Sequence, residues 1–117
     1  MSHKSLPVPA PLYLGEFELL VLLAVLRLGQ DAYGVTIREE LERETARDLT
    51  LGAIYKTLGR LERKGYLSVR IGEPTPERGG RRKKLYTLQP LGTRALKQSM
   101  AALRRLTRGL GRELEAL

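Results

Sequence analysis

The chain has 117 residues, 42% of them hydrophobic, which suits one compact domain with an appended helix and argues against disorder. It contains no cysteine, so disulfides, thiolate metal sites and cysteine nucleophiles are all excluded. The net charge of +8 is unevenly spread: residues 1–50 carry 5 basic and 8 acidic side chains, residues 51–90 carry 10 and 3, and residues 91–117 carry 6 and 2. Positive charge concentrated in the middle and tail points to a polyanionic partner, either nucleic acid or an anionic membrane surface.

Residues 1–13 include three prolines and no continuous apolar core, which predicts a flexible arm rather than a secretory signal. The longest apolar run, Leu19–Leu26, is far shorter than the ~20 residues that span a bilayer, so a soluble, cytoplasmic protein is expected. A first helix is expected over Leu14–Leu28, apolar on nearly every face and therefore buried in a core or between subunits. Gly29 would end it. A second helix is expected from Tyr33 to Ala46, with Tyr33, Ile37 and Leu41 inward and Glu39, Glu40, Glu42 and Glu44 on the wet side. A short link leads to Thr50, a good N-cap for a third helix over Leu51–Lys64 that stops at Gly65.

Beyond Gly65 the period changes to that of a strand, with Leu67, Val69 and Ile71 on one face. A Gly-, Pro- and Arg-rich loop (Gly72–Arg82) and a returning strand (Lys84–Leu88) complete a hairpin. Pro90 suits the first turn of a last helix running toward the C-terminus. The order helix, helix, helix, hairpin, helix is that of a mainly α winged helix-turn-helix with a small β-hairpin. Residues 14–89 would form the DNA-binding domain and residues 90–117 a dimerisation helix.

On the third helix, Leu51, Ile54, Leu58 and Leu61 fall in one sector and predict the core stripe. Gly52, Ala53, Lys56, Arg60 and Arg63 lie opposite, small residues first and cations after, while Glu62 lies nearer the core side. That face suits close approach to a major groove, with Thr50 at its start. The start of the second helix, around Tyr33, Gly34 and Thr36, is low in negative charge and able to offer backbone N–H groups. Arg78, Arg81, Arg82, Lys83 and Lys84 surround Gly79 and Gly80 at the hairpin tip, the pattern of a phosphate-contacting wing. The last helix repeats Leu96, Leu103, Leu110 and Leu117 every seven residues, with Met100 and Leu114 between them. This is a short seam that predicts a homodimer, joined by Phe17 and Leu20 of the first helix. No enzyme, metal site or cofactor is expected: the sole histidine, His3, lies in the arm, and no carboxylate cluster has metal spacing.

The segments LGEFELLVLLAVLRLGQDAYGVTIREELE, LTLGAIYKTLGRLERKGYL and GEPTPERGGRRKKLYTL, spread over roughly Leu14 to Leu96, resemble PadR-family transcriptional regulators. The resemblance implies a dimeric winged helix-turn-helix repressor at inverted-repeat operators in double-stranded DNA, with the single C-terminal helix of the shorter branch. It implies that Tyr55, Lys56, Arg60 and the segment Arg78 to Lys83 face DNA. It also implies release by a small-molecule effector, for which Tyr13 and Phe17 are the candidate contacts. Some short members stack ligands between tryptophans; this chain has none, and nothing aromatic after Tyr86, which argues against that mode. The competing readings are a winged-helix module that binds protein instead of DNA, and a basic tail on anionic membranes. The basic wing and third helix speak against the first, and the lack of Trp or Phe anchors in the tail against the second.

Overall fold

A computed structural model describes residues 12–74 and 82–117. Its elements are α1 (Glu16–Leu28), a single 3₁₀ turn (Gly29–Asp31), α2 (Gly34–Thr45), α3 (Leu51–Arg63), strands β1 (Leu67–Pro74) and β2 (Arg82–Leu88), α4 (Pro90–Thr107) and α5 (Gly111–Glu115). The expected arm falls largely on residues 1–11, outside the described residues. None of the described helices is long and apolar enough to cross a membrane.

Local chemistry explains most boundaries. Gly15 caps α1, and its N–H donates to the Glu18 carboxylate one turn later at 3.0 Å. Gly29 ends that helix with a positive φ of 59°. The Thr50 hydroxyl accepts the Ala53 N–H at 3.1 Å, the cap expected for α3. Gly65 ends α3 at φ 80°, and Pro90 occupies the first turn of α4.

The core lies where α1, α2 and α3 meet the root of the hairpin. Val21 and Leu22 of α1, Ile37 of α2, and Ile54, Leu58 and Leu61 of α3 are fully buried. Tyr66, Leu67 and Tyr86 close this core at the hairpin, and Ala95 and Leu96 of α4 close it from the other side. The strands pair antiparallel from Leu67 with Leu88 to Ile71 with Lys84, then lose register before Pro74 pairs with Arg82. On the far edge of β2, the Tyr86 N–H donates to the Ala32 carbonyl at 2.9 Å, so the α1–α2 connector holds the ribbon at its base.

Several expectations are corrected. In α3 the buried stripe includes Thr57, whereas Leu51 is only half-buried, because the first turn overhangs the core. Glu62 is exposed rather than turned toward the core. Ile71 is exposed, since the ribbon has already run beyond the helices at that point. The second helix is not uniformly wet: Glu40 is buried, and the Glu42 carboxylate accepts the Leu49 N–H at 3.0 Å, leaving Glu39 and Glu44 exposed.

The C-terminal helix is not continuous. Arg108 turns extended, Gly109 adopts φ 78°, and α5 starts anew at Gly111. Leu110 and Leu114 therefore do not continue the helical row of Leu96 and Leu103. Leu96 itself belongs to this chain's own core, and Met100 packs against it. Leu103 and Leu106 stay exposed on α4, at 45% and 73%.

Gly92 shows how tightly α4 is seated, because a Cβ there would overlap the Tyr66 carbonyl. Gly92→Ala should cost about 1–3 kcal/mol in urea unfolding, the usual range for overpacking. Gly111→Ala, where a Cβ meets nothing within 4 Å, should leave the urea midpoint unchanged or slightly raised.

Candidate nucleic-acid interface

The expected reading face survives folding in its first two turns. Gly52, Ala53, Tyr55 and Lys56 are all exposed on α3, directly after the Thr50 cap. Beside them is the start of α2, where the Thr36 hydroxyl accepts the Tyr33 N–H at 3.1 Å and donates to the Asp31 carbonyl at 2.6 Å. The Tyr33 N–H is thus engaged within the protein, and Tyr33 itself is buried. Thr36 acts as the local clip of this helix start. Gly34 lets the Tyr55 phenol rest against the α2 backbone, where a Cβ would overlap the ring. Tyr55 is therefore a strut between α2 and α3, with one edge left in solvent.

On the hairpin, the Lys83 ammonium lies 4.8 Å from the centroid of the Tyr33 ring, linking the wing to the helix-turn-helix. Arg82 is exposed, its Nε 3.3 Å from the Gly72 carbonyl. Arg78, Gly79, Gly80 and Arg81 lie outside the described residues. Burial pushes the Tyr86 hydroxyl to a raised pKa, and nearby Glu62 and Tyr55 add to the shift.

Arg60 is placed differently from expectation. Its Nε donates to the Glu18 carboxylate of α1 at 2.9 Å, and the Lys64 ammonium reaches the same carboxylate at 2.9 and 3.2 Å. A second buried carboxylate, Glu40 of α2, joins Arg27 of α1 at 2.5 Å and also Arg43. Burial pushes the Glu18 carboxyl up, but the Gly15 N–H, Lys64 and Arg60 together hold it below the usual carboxylate range. Glu40 is held low by Arg27 first and Arg43 second, against the effect of burial.

The profile of the transcriptional regulator PadR-like family matches residues 22–98, which include α2, α3, the wing and the first half of α4. The chain belongs to this family. Among solved structures, a PadR family transcription regulator from Clostridium difficile is similar at 24% identity and TM-score 0.65, covering 86% of this chain and 99% of that one. One from Eggerthella lenta is 26% identical with TM-score 0.59, covering 84% and 83%. A transcriptional regulator from Clostridium thermocellum, 20% identical with TM-score 0.63, covers 81% and 89% and shares the fold. No curated protein is a significant match.

Within this PadR-like chain, the residues expected at an interface or effector site are dispersed. Phe17 and Leu20 of α1 are half-buried against the chain's own core. Exposed Tyr13 lines a groove of about 400 Å³ with Leu12, Leu14, Gln98, Ser99, Ala102 and Arg105, between α4 and the segment that precedes α1. Neither buried glutamate is recognisable as a tie from the sequence. Glu18 reads there as one of three charges on an apolar helix, and its partners lie 42 and 46 residues away.

A carboxylate held low in the folded state stabilises it fully above the unfolded pKa, and this is lost as pH falls through the folded value. Stability of the PadR-like fold should therefore decline below pH ~4.3, where an unfolded glutamate titrates. Urea midpoints from pH 7 to pH 3 check this. Glu18→Gln and Glu40→Gln should each lower the midpoint at pH 7 and flatten its acid decline.

Proposed function

We propose that this PadR-like transcription regulator acts as a homodimeric repressor, bound to inverted-repeat operators and released by a small-molecule effector. Residues 14–89 would form the DNA-binding unit, and residues 90–117 would carry most of the dimer contact. The observation that carries the reading is the bare first half of α3. Gly52 and Ala53 permit close approach to base edges, Lys56 supplies a cation to read or brace them, and the basic wing stands alongside. Thr50, Thr36 and Tyr33 set the geometry of the two helix starts, while Arg78 to Lys83 engage phosphates. The exposed Leu103 and Leu106 of α4 offer apolar side chains suited to a second copy, and Leu110 and Leu114, also exposed, lie beyond the break. The groove beside Tyr13 has a volume suited to a small organic effector.

DNA recovered with the protein supplies the operator for testing. If a dimer neutralises ~6–10 phosphates, operator affinity should fall ~10³–10⁵-fold between 50 and 200 mM salt, and a flat response defeats the reading. Lys56→Ala should cost roughly 1–3 kcal/mol on that operator and flatten preference at particular base pairs. Replacing Leu103 and Leu106 together by glutamate should give a folded monomer in sedimentation, with weakened operator binding because the half-sites are no longer tethered. A tight dimer surviving those changes would move the interface to α1.

A further inference from the structure

The basic recognition helix does not present all of its cations. Lys56, Arg60, Arg63 and Lys64 lie along or just after α3, yet Arg60 and Lys64 both end on Glu18. Glu18 is 7% exposed, and both of its carboxylate oxygens are engaged, since Oε1 also accepts the Gly15 N–H at 3.0 Å. Among the described residues, neither Lys56 nor Arg63 has an ion-pair partner.

Burial decides what this arrangement does. Exposed ion pairs exchange partners at little cost, so a surface glutamate would yield its cations to a phosphate. A buried carboxylate stripped of both partners is strongly unfavourable, and here it would also sit against the apolar seam of α1. Arg60 is one helical turn beyond Lys56 and on the same face, so without Glu18 its guanidinium would flank the same groove.

We infer that Glu18 is a positioning residue for DNA recognition: it fixes α3 against α1 and withholds the Arg60 and Lys64 charges from the phosphates. This rests on the DNA-binding reading above and deepens it. Base contacts discriminate among sequences, whereas phosphate contacts strengthen binding to all of them. Two cations per protomer kept off the backbone lower affinity for arbitrary DNA, and the fixed angle of α3 preserves contacts to the operator.

The test measures binding of a random-sequence duplex by fluorescence anisotropy over roughly 50 to 200 mM salt. Glu18→Gln should steepen the salt slope by about one to two per protomer and raise affinity near 0.1 M salt roughly tenfold for each additional phosphate neutralised. The operator should benefit less, so the specificity ratio falls. In the wild-type background Arg60→Gln and Lys64→Gln should leave the slope unchanged, while Lys56→Gln lowers it by about one. In the Glu18→Gln background Arg60→Gln should lower it. That reversal is not produced by a merely structural glutamate. An unchanged slope in Glu18→Gln, or a lowered slope in Arg60→Gln alone, overturns the inference. Should Glu18→Gln fail to fold, the three substitutions in the wild-type background still decide. Wild-type protein that binds no duplex at the lowest salt overturns the DNA-binding reading, and the inference with it.

Discussion

Everything in this molecule hangs on the apolar seam between α1 and α3. Val21, Leu22, Ile54, Leu58 and Leu61 are fully buried, and each such side chain contributes about 1.5–3 kcal/mol by leaving water. The seam sets the distance at which Glu18 can meet Arg60 and Lys64, and thereby which faces of α3 remain bare. Polar ties alone could not do this, because the attraction in a buried ion pair is largely offset by the cost of taking its charges out of water. Packing supplies the stability, and the ions supply the angle.

The acidic first half of the chain takes its meaning from that arrangement. Its glutamates do not simply offset the basic second half through solvent. Glu18 neutralises Arg60 of α3 and Lys64 just after it, Glu40 gathers Arg27 and Arg43, and Glu16 meets Arg47 at 2.6 Å. The charge that remains for a polyanion is therefore a subset of the total, carried among the described residues on Lys56 and Arg63 of α3, on the wing and on the cations of the C-terminal helices.

Much of the fold was legible because its signals are local. Thr50, Gly65, Pro90 and the change of period after Gly65 each act within a few residues, and each falls where expected. The tertiary pairings were not legible. Nothing within a turn of Glu18 or Glu40 distinguishes a buried carboxylate from a solvated one, and Arg60 looks like any outward cation on the wheel. Thr57 entered the core because its sector faces inward, a matter of helix placement rather than hydrophobicity. At the tail, Gly109 signals weakness in the sequence, but only the backbone shows that the helix breaks there and that the spacing of seven no longer describes a single face. For the candidate site, the small residues and Lys56 were readable, whereas the inward roles of Tyr33 and Thr36 required the contacts themselves.

The bond from the Tyr86 N–H to the Ala32 carbonyl has a consequence for how this protein survives at high concentration. A two-stranded ribbon carries two open edges, and an open edge is a template on which another chain can add a strand. Here β2 is blocked near its base by the connector, and Arg82, Lys83 and Lys84 crowd its outer end with like charge. On the other side, β1 loses register after Ile71 and finishes at Pro74, which has no N–H to donate. The features that brace a wing for a nucleic acid also guard the ribbon against fibrous self-association, so neutralising those lysines would expose the protein to aggregation before it unfolded.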